Sequence, residues 1–202
     1  MDDYYGGMLV RIARKAVENY VRTGSSIAPK GCPAAFSEKR GVFVTICKYP
    51  GKELRGCIGH PEATHPLIEA LVNSAMYAAR DPRFPPLNAA ELGRVRIEVS
   101  VLTEPKLIDS GNPDRYPEEI EIGKDGLIIE KGKMRGLLLP QVAAELNWDQ
   151  ETFLGHLCIK ANLTPDQWHA KGVRIYKFQA EIFAEEYPNG PVKRVDVSGG
   201  GK

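Results

Sequence analysis

No stretch of about 18 consecutive apolar residues occurs in this chain, so the sequence offers nothing to span a bilayer. No secretory leader is expected either. Met1-Asp2-Asp3 is acidic where a signal peptide is basic and then apolar, and the expected compartment is the cytoplasm. There is no excess of positive charge. With 27 Lys and Arg against 26 Asp and Glu, the formal charge is +1. That is too little for a protein dominated by phosphate-backbone contacts, so nucleic-acid binding is not expected. Cysteine is scarce. Cys32, Cys47, Cys57 and Cys158 contain no C-x-x-C pair of the zinc-ribbon or redox-dithiol kind. The four histidines form no H-x-x-x-H pair, and Pro61 and Pro66 interrupt the segment that carries His60 and His65. Neither a metal site nor a cofactor is expected.

What remains is an ordinary globular composition, 43% hydrophobic and 26% charged over 202 residues. A chain of this length buries roughly 70% of its unfolded surface and needs no staple to hold a core.

The most informative stretch is Leu54-Arg55-Gly56-Cys57-Ile58-Gly59-His60. Glycine on both sides of a thiol permits unusual backbone conformations and close approach of a ligand. A nearby cation such as Arg55 would lower the thiol pKa and make a better nucleophile.

The periodicities define the surroundings of this stretch. Apolar residues from Leu9 to Tyr20 fall at helical spacing, giving a helix over 7–21. Residues 41–47 read as a strand, Tyr49-Pro50-Gly51-Lys52 as a turn, and 54–58 as the returning arm of a hairpin. Pro66 opens a second helix through Arg80. Asp81-Pro82-Arg83-Phe84-Pro85-Pro86-Leu87 is a proline-fixed loop, and 95–102 alternates as a strand. Gly123-Lys124-Asp125-Gly126 reads as a hairpin turn between strands at 119–122 and 127–130. Residues 134–139 give a further strand, and short helices follow from Pro140, Asp149 and Thr164. A long strand over 173–185 closes the chain. Tight hairpins mixed with helices indicate an α+β fold, an antiparallel or mixed sheet with packed helices. Residues 1–190 are expected to form one domain in two lobes. The smaller, strand-rich lobe lies near 105–140 and the larger is built from both chain ends; 191–202 forms a flexible tail.

These pieces resemble the AMMECR domain family, found from archaea to man. The likeness rests on Leu54-Arg55-Gly56-Cys57-Ile58-Gly59, Asp81-x-Arg83-Phe84-Pro85-Pro86-Leu87, Ile97-Glu98-Val99-Ser100-Val101-Leu102 and Leu139-Pro140-Gln141-Val142-Ala143. Trp148-Asp149 and Ile175-Tyr176 fit too, and the resemblance covers about residues 8–186. It implies an archaeal member with a two-lobed α+β fold and the six-residue motif near a cleft. It also implies association with Memo-like and radical-SAM proteins, and no agreed biochemical activity.

Two readings of the motif stay open. In one, Cys57 is a nucleophile, His60 or Glu98 moves protons, and Arg55, Gly56, Gly59, Arg83 and Phe84 hold a small molecule or modified residue. Strand phase then puts Arg55 and Cys57 on one face. In the other, Cys57 is a small core filler, Arg55 and Arg83 are ion-paired with Asp81, Glu98 or Glu53, and the protein is a non-catalytic adaptor docking its partners through Phe84-Pro85-Pro86.

Overall fold

The structure, a computed structural model, describes residues 1–109 and 111–195. Two compact units emerge from the chain trace. The first comprises Met1–Leu102 and Glu181–Val195, and the second Thr103–Ala180. The second is longer than the 105–140 stretch named from the sequence, because it also takes in the helices that follow.

The first unit begins with α1 (Asp3–Thr23), capped by the Asp2 carboxylate on the Tyr5 N–H and ended by Gly24 at φ 72°. Then come β1 (Val42–Lys48), β2 (Leu54–His60), α2 (Leu67–Ala78) and β3 (Val95–Leu102). β1 is central, antiparallel to β2 on one side and β3 on the other. Strand alternation separates its two faces. Val42, Val44 and Ile46 are buried, together with Ile97 and Val99 of β3, in the core that α1 and α2 close. Phe43, Thr45 and Cys47 stand on the other face and are only partly buried. Among the described residues no helix is long and apolar enough to cross a membrane.

A buried ion pair closes this unit. Arg14 of α1 donates to both carboxylate oxygens of Glu185 and also to the carbonyls of Leu92 and Val95, at 3.1 and 2.7 Å. Glu185 accepts the Ile97 N–H at 2.9 Å as well. Every charged atom is therefore occupied, the condition under which a buried pair is tolerated.

The second unit contains β4 (Lys106–Leu107), β5 (Asp125–Lys131), β6 (Met134–Leu138), α3 (Pro140–Glu145), α4 (Gln150–Lys160) and the start of β7 (Arg174–Glu185). β4 and β5 both pair with β7, and β6 pairs with β5. Phe153, Leu154 and Leu157 of α4 pack with Leu127, Ile129 and Ile175. The hairpin expected around 123–126 is not formed. Asp125 is already in β5, and residues 113–119 form a 3-10 helix. The strand expected at 119–122 is replaced by the end of that helix and a turn over 122–124, where the Lys124 and Asp125 N–H groups both donate to the Glu121 carbonyl. The hairpin is instead β5–β6, turning at Gly132 with φ 60°.

β7 runs on into the first unit, where β8 (Val192–Val195) pairs with it from Ile182 to Glu185. These four residues lie inside the stretch expected as a tail; 196–202 lie outside the described residues.

Candidate functional site

The site starts at Gly56. A side chain there would meet the Ala78 carbonyl oxygen at 2.1 Å, so only glycine lets the C-terminal end of α2 come this close to β2. The chain leaving α2 then delivers Asp81 to the outer edge of β2. The Asp81 carboxylate accepts the main-chain N–H of Cys57 at 2.9 Å, the N–H of Arg83 at 3.0 Å and the Arg83 guanidinium at 3.0 and 2.6 Å. Arg83 in turn donates to the Cys57 carbonyl at 3.1 Å. These donors hold the Asp81 carboxyl down at about 2, with Arg83 the largest influence. The Asp81 side chain is 1% exposed and that of Arg83 55%.

Both main-chain polar groups of Cys57 therefore point away from β1. In an antiparallel ladder this makes Cys57 and its partner Thr45 a non-hydrogen-bonded pair, the kind whose side chains lie closest. The Thr45 hydroxyl donates to the Cys57 sulfur at 3.3 Å. Thr45 is also opposite Glu98 on β3, so Cys57, Thr45 and Glu98 form one row across three strands, on the face away from α1 and α2. Burial pushes the Cys57 thiol up from its ordinary value. The Thr45 hydroxyl and Arg83 pull it down, while Glu98 and Asp81 raise it. The thiol is thus protonated at neutral pH.

The other residues named from the sequence are placed differently. The β1–β2 register shifts between Ile46 and Cys47, leaving Arg55 without an opposite partner. The bulge breaks the alternation that would have put Arg55 and Cys57 on one face. Arg55, 7% exposed, is held by Glu91 through Nε at 2.7 Å and Nη2 at 3.0 Å. The cation acting on the thiol is Arg83. His60 is three residues beyond Cys57, an odd step that turns it to the opposite face of β2. Its Nδ1 lies 3.0 Å from the hydroxyl of buried Ser74 on α2, and burial lowers its pKa. Gly59 shares the Cys57 face, and a side chain there would meet the Phe43 ring at 2.3 Å. Phe84, half-buried, lies under Arg83 with 5.7 Å from guanidinium carbon to ring centroid. Among the described residues no group of three His, Cys, Asp or Glu side chains is arranged to hold a metal ion.

The AMMECR1 family model matches residues 10–183. The chain belongs to the AMMECR1 family. It is 53% identical to protein PF1979 of Pyrococcus furiosus over 197 residues, covering 95% of this chain and 93% of that one. It is 54% identical to protein MJ0810 of Methanocaldococcus jannaschii over 188 residues, covering 93% of each. The crystal structure of the uncharacterized protein PH0010 from Pyrococcus horikoshii superposes with a TM-score of 0.93 at 50% identity, covering 97% of this chain and 98% of that one. That neighbour carries the same α+β architecture.

The AMMECR1 match takes in the whole Cys57 row and the Asp81–Arg83 loop. Within it, Thr45, Glu91 and Ser74 are contacts the sequence reading did not name. For Glu91 a signal was present. Asn88 and Glu91 have the spacing of a capping box, and the Asn88 N–H does donate to the Glu91 carboxylate at 3.1 Å. For Thr45 the signal was the strand register, which only the bulge position fixes.

Proposed function

We propose that this AMMECR1-family protein binds a small molecule or a modified residue on the Cys57 face of the β2-β1-β3 layer. The observation that carries the reading is the Cys57–Thr45–Glu98 row beside a half-exposed guanidinium. Thiol, hydroxyl, carboxylate and cation are brought together on a face the core helices leave alone. Arg83 replaces Arg55 as the anion-holding group. Each is paired with a carboxylate, Arg83 with Asp81 and Arg55 with Glu91, but the Arg83 side chain is 55% exposed and that of Arg55 9%. The protonated thiol and Thr45 serve the ligand as neutral hydrogen-bonding groups. In the catalytic form of the reading, the base is Glu98 and not His60, because only Glu98 shares the face of the thiol.

Thermal shift with inorganic phosphate and with succinate tests this. A rise in melting temperature that Arg83→Gln and Cys57→Ser both remove is expected. No rise with either anion, together with unchanged thiol labelling in Glu98→Gln, sinks the reading.

A second reading has its own support. Pro82, Pro85 and Pro86 are exposed in a loop anchored at buried Asp81, a stiff surface suited to docking. It casts the protein as an adaptor for Memo-like or radical-SAM partners. Co-purification with those proteins that survives Cys57→Ser and is lost in Phe84→Ala is the expected result; no association at all counts against it.

A further inference from the structure

β2 is an outer strand of its layer, paired to β1 alone. An outer strand leaves a row of N–H and C=O groups open to another chain, and proteins close such edges with bulges, charges or covering loops. β2 has the bulge at Arg55. At Cys57 it has something more specific. A carboxylate takes the N–H and a guanidinium takes the C=O of the same residue, and the two groups are joined to each other. Side chains thus make the two bonds that a neighbouring strand would make.

We propose that Asp81 and Arg83 are a positioning pair for Cys57. By closing the β2 edge at this residue they fix the peptide that carries the thiol against Thr45, so that a ligand or partner meets Cys57 over the sheet face and not along the strand edge. This rests on the reading of Cys57 as the centre of a binding site.

Three observations converge on the pair. Gly56 is the opening that admits it, because a Cβ there would strike the Ala78 carbonyl and move the end of α2 away. Asp81 is nearly inaccessible and spends both carboxylate oxygens on Cys57 of β2 and on Arg83 of its own loop. Among the described residues, the charged groups acting on the thiol are Arg83 and Asp81 from this loop and Glu98 from β3, with the Thr45 hydroxyl reaching it from β1. Arg83 favours the thiolate, and Asp81 and Glu98 oppose it. The two members of the pair therefore pull the thiol in opposite directions.

The test uses the full chain with Cys32→Ser and Cys47→Ser, leaving Cys57 and buried Cys158. The rate of iodoacetamide labelling at Cys57 is followed against pH, with the modified site identified by peptide mapping. Arg83→Gln is expected to move the profile to higher pH and to slow labelling at pH 8. Arg83→Lys keeps the charge and is expected to restore most of the rate. Asp81→Asn is expected to move the profile to lower pH. Shifts in the same direction for Arg83→Gln and Asp81→Asn, or no shift in either, overturn the proposal. Should Asp81→Asn fail to fold, hydrogen exchange in the unaltered protein decides: the Cys57 amide must be protected in spite of its place on a free edge, and rapid exchange there overturns the proposal. None of these readouts depends on ligand binding. A failure here is therefore distinct from a failure of the phosphate and succinate shifts.

Discussion

The Asp81 carboxylate accepts the Cys57 N–H at 2.9 Å across 24 residues of chain. The contact depends on the glycine beside the thiol, the end of α2 and the loop that follows, so a change in any one of them reaches the others. The site is a packing arrangement first and a set of reactive groups second.

The Asp81 carboxyl titrates at about 2, below its ordinary 3.8. A carboxyl depressed by folding contributes its full stability above the unfolded value, and loses it as pH falls through the folded one. The contribution is about 2 kcal/mol at neutral pH and fades between about pH 4 and pH 2. Urea unfolding of Asp81→Asn should show the deficit at pH 7 and near-equality with the parent at pH 2. A constant deficit across that range would falsify this assignment.

Gly56→Ala and Gly59→Ala both drive a methyl into main chain. At Gly56 it meets the Ala78 carbonyl oxygen at 2.1 Å; at Gly59 it meets the Phe43 ring at 2.3 Å and the Val42 carbonyl oxygen at 2.5 Å. Overpacking costs about 1–3 kcal/mol, and both variants belong at the upper end, since neither backbone contact is relieved by turning a side chain. Chemical denaturation of the two variants checks this, and a loss well under about 1 kcal/mol in either contradicts it.

Glu185 is the acceptor of three groups in a buried pair. Replacing it with leucine removes the bidentate partner of Arg14 and leaves Glu18 at 3.8 Å and two carbonyls, so a loss of about 3 kcal/mol is expected. Replacing Arg14 with methionine as well should recover part of that loss, which a double-mutant cycle measures.

Ser100, 1% exposed, has a hydroxyl with no hydrogen-bond partner among the described residues. An unsatisfied buried hydroxyl carries a desolvation cost of about 1–3 kcal/mol, so Ser100→Ala should raise the melting temperature. A drop would mean that the hydroxyl is bonded in solution.

Much of the architecture was legible in the residues. The stripe from Leu9 to Tyr20, the alternation of 95–102 and the hairpin around Tyr49-Pro50-Gly51-Lys52 all correspond to elements, because each signal is local and repeats with the period of its own backbone. The misread turn at 123–126 shows where that ends. Glycines announced a turn correctly, but which strand lies across from Asp125 is a long-range choice, and Gln179 of β7 is the residue there.

The candidate site was legible as a neighbourhood and not as a set of contacts. The sequence alone put Cys57 on a strand between two glycines, with Arg83 and Phe84 in a stiff loop and Glu98 on a strand, and these features follow from residue type and spacing. Only the tertiary structure decided which of them face one another. One extra residue in β2 sent Arg55 to Glu91. One odd step along the strand sent His60 to Ser74. The close approach at Gly56 brought Asp81 and Arg83 to the thiol. The physical reason is that strand period is a property of neighbours in sequence, whereas register, bulge and helix approach are settled by side-chain packing between segments distant in the chain.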